Sequence, residues 1–275
     1  MQKRRLIPVV MLRNGVVVQS KGFRRYQPQG NPSTIVARLS NWQADELIYL
    51  DISRGGGYDL NRDDLNFENR GGLLEILEDV ARQCFMPLTF GGGIRDERDV
   101  EQRLARGADK VALTSQPLAD PGFITRCARR HGAQCVVVGL DVRQVPGEGR
   151  WRVYGEGGRA DAGRDAVEWA REVVDRGAGE LLVQSIDRDG AGTGYDLPLI
   201  RAISAAVTVP VIALGGVGDH QHFAEGLEAG ASAVAAGNIF HYTENSVYHA
   251  ACSLSAAGHP VRRPALVSLA TEGDL

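Results

Sequence analysis

One repeat within the chain constrains its fold more than any other feature of the sequence. The segment "MPLTFGGGIRDERDVEQRLARGADKVALTS" aligns with "VPVIALGGVGDHQHFAEGLEAGASAVAAGN" at a constant offset of 123 residues. The alignment places Gly92–Gly93 on Gly215–Gly216 and Gly107–Ala108 on Gly230–Ala231. Shorter matches keep the same order, with "DELIYLDI" on "GELLVQSI" and "LIPVVM" on "VVVGLD". The chain is therefore predicted to consist of two related halves.

Apolar runs alternate with amphipathic segments throughout both halves. The strand candidates are "LIPVVML", "ELIYLDI", "PLTFGGG", "KVALTS", "CVVVGLDV", "ELLVQSID", "PVIALGG" and "AVAAGN". Helix-like segments between them include "GLLEILEDVARQC", "DVEQRLARG", "FITRCARRHG", "AVEWAREVVDRG", "LIRAISAAV" and "HFAEGLEAG". Near-continuous apolar strands between helices are typical of a parallel sheet that is covered on both faces. Eight such units in 275 residues predict a (β/α)8 barrel.

The predicted fold class is thus α/β, a (β/α)8 TIM barrel built from two duplicated half-barrels. An open, doubly wound sheet is the structural alternative, but no GxGxxG turn follows the first strand. We expect one domain over residues 1–262, with half-barrels at about 1–130 and 131–262. The remaining residues, 263–275, form a C-terminal tail that we expect to be mobile.

Composition excludes several classes of function. The formal net charge is −3, so no global field favours nucleic acid or an anionic membrane. No apolar run approaches the roughly 18 residues that a membrane span needs. The cysteines form no CxxC pair, and three lie in or beside apolar segments, which predicts buried free thiols in a reducing cytoplasm. Histidine spacing matches no zinc signature, and we expect neither a metal nor a cofactor.

Glycine-rich loops at the ends of predicted strands suggest phosphate binding. In such barrels the loops after the strands build the active site at the carboxyl-terminal face. Glycine lets backbone N–H groups approach an anion closely. The candidates occupy matching positions in the two halves, which predicts a ligand with a phosphate at each end; the simpler alternative is a set of tight turns. They are Gly92, Gly93, Thr114 and Ser115 in the first half, and Gly215, Gly216, Gly237 and Asn238 in the second.

Three acidic residues on the same face are candidates for acid–base catalysis. Asp141 ends an otherwise apolar strand, where packing does not require a carboxylate. Asp51 ends the second predicted strand and could instead cap a loop. Asp189 lies in "SIDRDG", where Asp-Gly is also a common turn pair. The residue that matches Asp141 in the first half is Met11.

Four charged residues stand at the opposite ends of the predicted strands. Arg5, Glu46, Lys110 and Glu180 each precede an apolar strand, so together they could close the bottom of the barrel. Strand starts are often charged and solvated, and the residues alone favour that simpler interpretation.

The chain resembles the family of cyclase subunits of imidazole glycerol phosphate synthase (HisF) from about Arg5 to Arg262. The motifs that carry the resemblance are "DELIYLDI", "FGGGI", "RGADKV", "GAGELL", "SIDRDG" with "GYD", and "NIFH". The resemblance implies a duplicated half-barrel and a glutaminase (HisH-like) partner that makes ammonia. It also implies that ammonia passes through the barrel to a small substrate with two phosphates.

The resemblance assigns roles to individual positions. It implies that Arg5, Glu46, Lys110 and Glu180 form an ammonia gate, which becomes the preferred interpretation of these charges. It implies that Asp109 faces the glutaminase. The glycine-rich and strand-end residues named above match the phosphate loops, and Asp141 matches one of two catalytic aspartates.

The other catalytic aspartate of the family falls on Met11, which can neither donate nor accept a proton. Gln19 replaces a lysine, while Ala112, Gln184 and Leu214 replace residues that are usually smaller or carry a hydroxyl. An insertion over residues 54–64 lengthens the second loop. We therefore expect nitrogen transfer outside histidine biosynthesis, for example amidine formation on a sugar with a separate amide-transfer ligase.

Two alternatives stay open. One is a working cyclase subunit in histidine biosynthesis, in which Asp51 or Asp189 substitutes for the missing aspartate. The other is a non-catalytic scaffold that only activates the glutaminase.

Overall fold

A computed structural model describes residues 3–55, 58–59, 65, 67, 69–242 and 246–262. The strands in chain order are β1 (Arg5–Arg13), β2 (Val16–Lys21), β3 (Arg25–Gly30), β4 (Leu47–Asp51), β5 (Leu88–Gly91), β6 (Lys110–Leu113), β7 (Val136–Gln144), β8 (Trp151–Gly155), β9 (Ala160–Asp165), β10 (Glu180–Ser185), β11 (Val211–Leu214) and β12 (Ala233–Ala236). The helices are α1 (Pro32–Asn41), α2 (Leu73–Gln83), α3 (Glu97–Ala105), α4 (Ser115–Ala119), α5 (Gly122–His131), α6 (Ala166–Asp175), α7 (Leu197–Ala206), α8 (Gln221–Glu228) and α9 (Val247–Ala256).

The described residues form a closed barrel of eight parallel strands. The order around the barrel is β10-β11-β12-β1-β4-β5-β6-β7, and pairing of β7 with β10 closes it. Every neighbouring pair in this circle is parallel. The predicted (β/α)8 fold is therefore confirmed.

Two β-hairpins extend the barrel at matching places, and the sequence analysis missed both. Hairpin β2–β3 follows β1, and hairpin β8–β9 follows β7, each in antiparallel pairing. The turn into β2 is made by Asn14 and Gly15, both with positive φ. Asn-Gly between apolar runs is the usual signal for such a turn. These hairpins project from the carboxyl-terminal face and form walls around the mouth of the barrel.

The apolar core has two layers. The larger layer lies between the strands and the surrounding helices, and the buried face of α2 is typical, with Ile76, Leu77 and Val80 against the sheet. The smaller layer is a column inside the barrel, formed by alternate residues of the strands. We call it the inner column; its buried residues are Ile7, Val9, Ile48, Ala112, Val137, Leu182, Ile212, Leu214, Ala233 and Ala235.

The helices begin where the sequence supplies caps. Asp165 accepts hydrogen bonds from two backbone N–H groups at the start of α6, and Asp96 and Asn31 cap α3 and α1. All six predicted helices are present; α1, α4 and α9 were not predicted. The cysteines are free, as predicted, but the prediction that they are buried was wrong. Only Cys127 is buried, because Cys84 and Cys135 stand at helix ends and Cys252 lies on the outer face of α9.

Several predicted features lie outside the described residues. The tail 263–275 is one, and most of the inserted loop at 54–64 is another. Within the described part of the chain, no helix has the length and apolar character needed to cross a membrane.

Candidate functional site

The four charged strand-start residues meet in one ring at the amino-terminal end of the barrel. Arg5 Nη1 donates to Glu46 Oε2 at 2.6 Å and to Glu180 Oε1 at 3.1 Å. Lys110 Nζ donates to Glu46 Oε1 at 2.9 Å and to Glu180 Oε1 at 3.2 Å. Each cation therefore contacts both carboxylates. We call this arrangement the charged ring.

The charged ring is largely withdrawn from solvent. The Glu46 side chain is 3% exposed and also accepts a hydrogen bond from the Thr89 hydroxyl at 3.1 Å. Burial would lower the pKa of the Arg5 guanidinium, but Glu180 and Glu46 outweigh this effect and raise it. Asp109 lies beside the ring, where its Oδ2 accepts the backbone N–H of Leu88 at 2.8 Å. The inner column begins directly above the ring.

A cavity of about 550 Å³ opens at the other end of the barrel. It is lined by the predicted first-half phosphate residues Gly92, Gly93, Thr114 and Ser115, and by Asp141. Both glycines have positive φ, which side chains rarely tolerate. The lining also includes Arg54, Arg95 and Arg159, which sequence reasoning did not single out. This mouth combines backbone donors, hydroxyls and arginines, which suit an anion, with the carboxylates of Asp51, Asp141 and Glu156.

Asp141 and Gln184 are adjacent polar residues at the floor of this cavity. They are register partners on β7 and β10, and both side chains line the cavity. Burial raises the pKa of Asp141 to about 7, with a further contribution from the charge of Asp189. A carboxyl group with that pKa can either donate or accept a proton near neutral pH. The Gln184 amide nitrogen is buried and has no hydrogen-bond partner among the described residues.

Asp51 lines the same cavity, but its carboxylate is already engaged. Its Oδ1 accepts the backbone N–H of Ser53, and its Oδ2 accepts the Tyr58 hydroxyl, both at 2.9 Å. The first contact is the local turn expected of a loop cap. Asp51 therefore helps to shape the second loop, whatever else it does.

The second-half residues have different surroundings. Asp189 Oδ2 accepts the Ser20 hydroxyl at 2.7 Å and the backbone N–H of Phe23 at 3.1 Å. The Asn238 side chain donates to the backbone oxygen of Ser20 at 2.6 Å and accepts its N–H at 3.3 Å. Asp189 and Asn238 line a second cavity of about 20 Å³ together with Gly215, Gly216 and Gly237. Ser20 and Phe23 line the larger cavity.

Met11 lies between the two cavities and lines both. Met11 is 8% exposed, and Leu214 also lines the smaller cavity. The position that matches Asp141 is therefore occupied by an apolar side chain that reaches the mouth.

The alternation of side chains along a strand could have identified two interior residues that the sequence analysis did not propose. Residues two apart on a strand share a face, so Gln184 faces the barrel interior with Glu180 and Leu182. By the same alternation, Thr89 on β5 faces the barrel interior. By contrast, the contacts of Ser20 join residues about 170 and 218 positions apart, which no local pattern indicates.

Comparison with known proteins finds a matching family profile and two relatives that share one name. A sequence profile described as "Histidine biosynthesis protein" matches residues 5–246. The imidazole glycerol phosphate synthase subunit HisF of Hyphomonas neptunium is 45% identical over 263 residues, which cover 95% of this chain and 99% of the relative. The protein of the same name from Gluconacetobacter diazotrophicus is 42% identical over 262 residues, covering 95% and 97% of the two chains.

Proposed function

The chain belongs to the HisF family of histidine biosynthesis proteins, and from this membership we propose that it is an ammonia-accepting synthase subunit. In this proposal a glutaminase partner docks on the amino-terminal face and releases ammonia at the charged ring. Ammonia then crosses the inner column and reacts with a phosphorylated acceptor at the mouth. The charged ring is the observation that carries the proposal.

The charged ring supports a gate because its members hold one another in place. Removing one partner of a buried ion pair is costly, so the ring stays closed in the isolated subunit. Both cations contact both carboxylates, so moving the Lys110 side chain alone still leaves Arg5 paired with Glu46 and Glu180. A docked partner could therefore open one side of the ring while the rest stays in place.

The mouth supports chemistry on a phosphorylated acceptor. The phosphate would bind the N–H groups and hydroxyls of Gly92, Gly93, Thr114 and Ser115, with Arg95 as a neighbouring cation. Asp141 would transfer protons to and from the acceptor while ammonia attacks it. No metal or cofactor is part of the proposal.

Two acceptors are candidates. The names of the relatives favour the imidazole glycerol phosphate synthase reaction, in which this chain would be the cyclase subunit of histidine biosynthesis. The burial of Met11 at the mouth favours a different nitrogen acceptor, because the cyclase reaction would then depend on Asp141 alone. In the second case a separate ligase could complete the transfer.

A turnover assay with ammonium distinguishes these acceptors. The purified chain is given ammonium and the aminated ribulosyl phosphate substrate, and imidazole formation is measured for the wild type, Met11→Asp and Leu214→Asp. General acid–base groups contribute roughly 10²–10⁴-fold, so we expect Met11→Asp to gain at least about 100-fold. Leu214→Asp is the matched control, because it places a carboxylate in the same small cavity but not opposite Asp141.

Efficient imidazole formation by the wild type would establish the histidine reaction and remove the case for another acceptor. If neither the wild type nor Met11→Asp reacts, binding of a glutaminase subunit becomes the deciding measurement. A chain that binds and activates the glutaminase but never uses ammonia would be a scaffold, which contradicts the proposal.

A further inference from the structure

A further cavity lies between the two hairpins, beside the mouth of the barrel. It measures about 220 Å³, and we call it the inter-hairpin cleft. One water needs roughly 10–15 Å³ on this kind of measure, so the cleft has room for a group of phosphate or diphosphate size. It is lined by Phe23, by glycines of the two hairpin turns and by three arginines, which are Arg24, Arg143 and Arg159.

The charge of this lining distinguishes the cleft from the mouth. Among the described residues, three arginines and no carboxylate line the cleft, whereas the mouth has three arginines and three carboxylates. Two carboxylates outside the lining pair with members of it. Asp187 Oδ1 lies 3.2 Å from Arg143 Nε, and Glu156 Oε2 lies 3.9 Å from Arg159 Nη2. Arg24 forms no ion pair within the part of the chain that the structure describes, so the cleft keeps a positive charge.

Arg143 is held in position before any ligand binds. Besides its contact with Asp187, its guanidinium carbon lies 4.8 Å from the centre of the Tyr154 ring. Asp187 is itself fixed, because its Oδ2 accepts the backbone N–H of Gln144 at 3.0 Å. A side chain that is already fixed loses little conformational entropy on binding. The planar guanidinium also matches the geometry of phosphate oxygens.

The two hairpins contact each other beside the cleft. Gly158 has a φ of +78°, and a Cβ atom placed there would lie 2.9 Å from Cδ2 of the Phe23 ring, so the contact requires glycine. At Gly157 a Cβ atom would meet nothing within 4 Å, so this part of the turn borders open space. Phe23, Gly157 and Arg159 line both the cleft and the mouth. The two cavities therefore adjoin.

We propose that the inter-hairpin cleft binds an oxyanion of the phosphate class, with a diphosphate as the best match for its three positive charges. This site is additional to the glycine-rich residues of the mouth. The anion could be free in solution or could be the outer end of the acceptor, and the shared wall favours the acceptor. That assignment rests on the proposed function, which supplies the acceptor, whereas the binding site itself does not.

Titration of the full-length chain with inorganic pyrophosphate tests the site. Calorimetry measures the affinity, and the backbone amide shifts of Gly157 and Gly92 show whether the anion binds in the cleft or in the mouth. We expect Arg24→Ser to weaken binding in the cleft at least about tenfold, because it removes one of three cations. Arg25→Ser is the matched control. It removes the same charge from the same hairpin but does not line the cleft, so the affinity should stay within about threefold.

A sugar with a monophosphate at one end and a diphosphate at the other, 5-phosphoribosyl 1-pyrophosphate, distinguishes the two sources of the anion. If the cleft holds the outer end of an acceptor, this probe should bind at least about tenfold more tightly than pyrophosphate. Ser115→Ala in the mouth should then remove the advantage. Equal affinities would support a cleft that takes free anions.

Two results would overturn the inference. One is that pyrophosphate does not bind at all. The other is that it shifts only the Gly92 amide and binds Arg24→Ser as tightly as the wild type. The proposed function would stand in either case, because its turnover and glutaminase-binding assays use neither these probes nor these variants.

Discussion

At the scale of single residues, the mouth depends on two polar side chains in unusual surroundings. Asp141 has a carboxyl group whose pKa is raised to about 7 by burial and by Asp189. Gln184 is 4% exposed, and its amide nitrogen has no hydrogen-bond partner in the part of the chain that the structure describes. A buried carboxyl group and a buried donor without a partner both lower the free energy of unfolding when no ligand is bound. Groups of this kind concentrate at functional sites.

The raised pKa of Asp141 predicts that the contribution of this residue to stability falls as the pH rises from about 4 through 7. In that window the folded state keeps the proton that the unfolded state releases, so folding is favoured at the acidic end. Asp141→Asn should remove this part of the pH dependence and raise the free energy of unfolding at pH 8 by roughly 1–3 kcal/mol, since the carboxyl is partly solvent-screened. Urea unfolding at pH 5 and 8 measures the effect, and Asp175→Asn on the exposed end of α6 is the control. Equal pH dependence in Asp141→Asn and the wild type would contradict the prediction.

The unpartnered amide predicts that Gln184→Met stabilises the protein. A buried donor without a partner costs about 1–3 kcal/mol, and methionine has a similar length without a donor. We expect the free energy of unfolding to rise by roughly 1 kcal/mol, measured by urea denaturation. Gln144→Met at an exposed position should change it by less than about 0.5 kcal/mol. A clear loss of stability in Gln184→Met would mean that the amide is satisfied in the folded protein.

At the scale of secondary-structure elements, the hairpins are fixed by side chains from distant parts of the chain. Hairpin β2–β3 is held by Asp189 and Asn238, as described above. Hairpin β8–β9 is held by Asp196, whose Oδ2 accepts the Trp151 indole N–H at 2.8 Å while its Oδ1 caps α7 at Leu199. One carboxylate therefore joins a hairpin to the start of a helix.

This double contact predicts a large effect of Asp196→Ala. The loss of the cap costs about 1 kcal/mol, and the buried indole left without a partner costs about 1–3 kcal/mol more. We expect a destabilisation of roughly 2–4 kcal/mol in chemical denaturation. Asp96→Ala removes the cap of α3 alone and should cost only about 1 kcal/mol. Equal effects of the two substitutions would show that the indole contact contributes nothing.

The sequence predicted the barrel strands better than the connections between them. Apolar runs and the 123-residue repeat indicate the strands directly, and the strand starts Arg5, Glu46, Lys110 and Glu180 do form a ring. The hairpins were missed because the segments after β1 and β7 were treated as loops, although Asn14–Gly15 carries a turn signal. The role of Ser20 depends on its contact with Asn238, and a contact between such distant residues has no local sequence pattern.

At the scale of the whole molecule, each face of the barrel has one exposed aromatic side chain among the described residues. Phe85 is 91% exposed and precedes β5, on the same face as the charged ring. Tyr242 is 50% exposed and follows β12, on the opposite face. A large exposed aromatic side chain on this face suits the anchor of a protein interface.

Under the proposed function, Phe85→Ser should weaken glutaminase binding without weakening the fold. Interface anchors typically contribute about 2 kcal/mol or more, which corresponds to a loss of roughly 30-fold in affinity. Calorimetry with a glutaminase subunit and thermal unfolding of the isolated chain measure the two effects. Tyr242→Ser serves as the control, with affinity unchanged. If only the Tyr242 variant lost affinity, the partner would dock at the mouth instead.

The composition of the charged ring has a consequence for what can travel along the barrel axis. Its two positive and two negative groups sum to zero, and the inner column above it is apolar. An ion that moved upward would lose its hydration shell with nothing to replace it, at a cost of several kcal/mol. A small uncharged molecule would not incur this desolvation cost. Under the proposed function, ammonia would therefore cross the barrel as the neutral amine, and ammonium would be excluded.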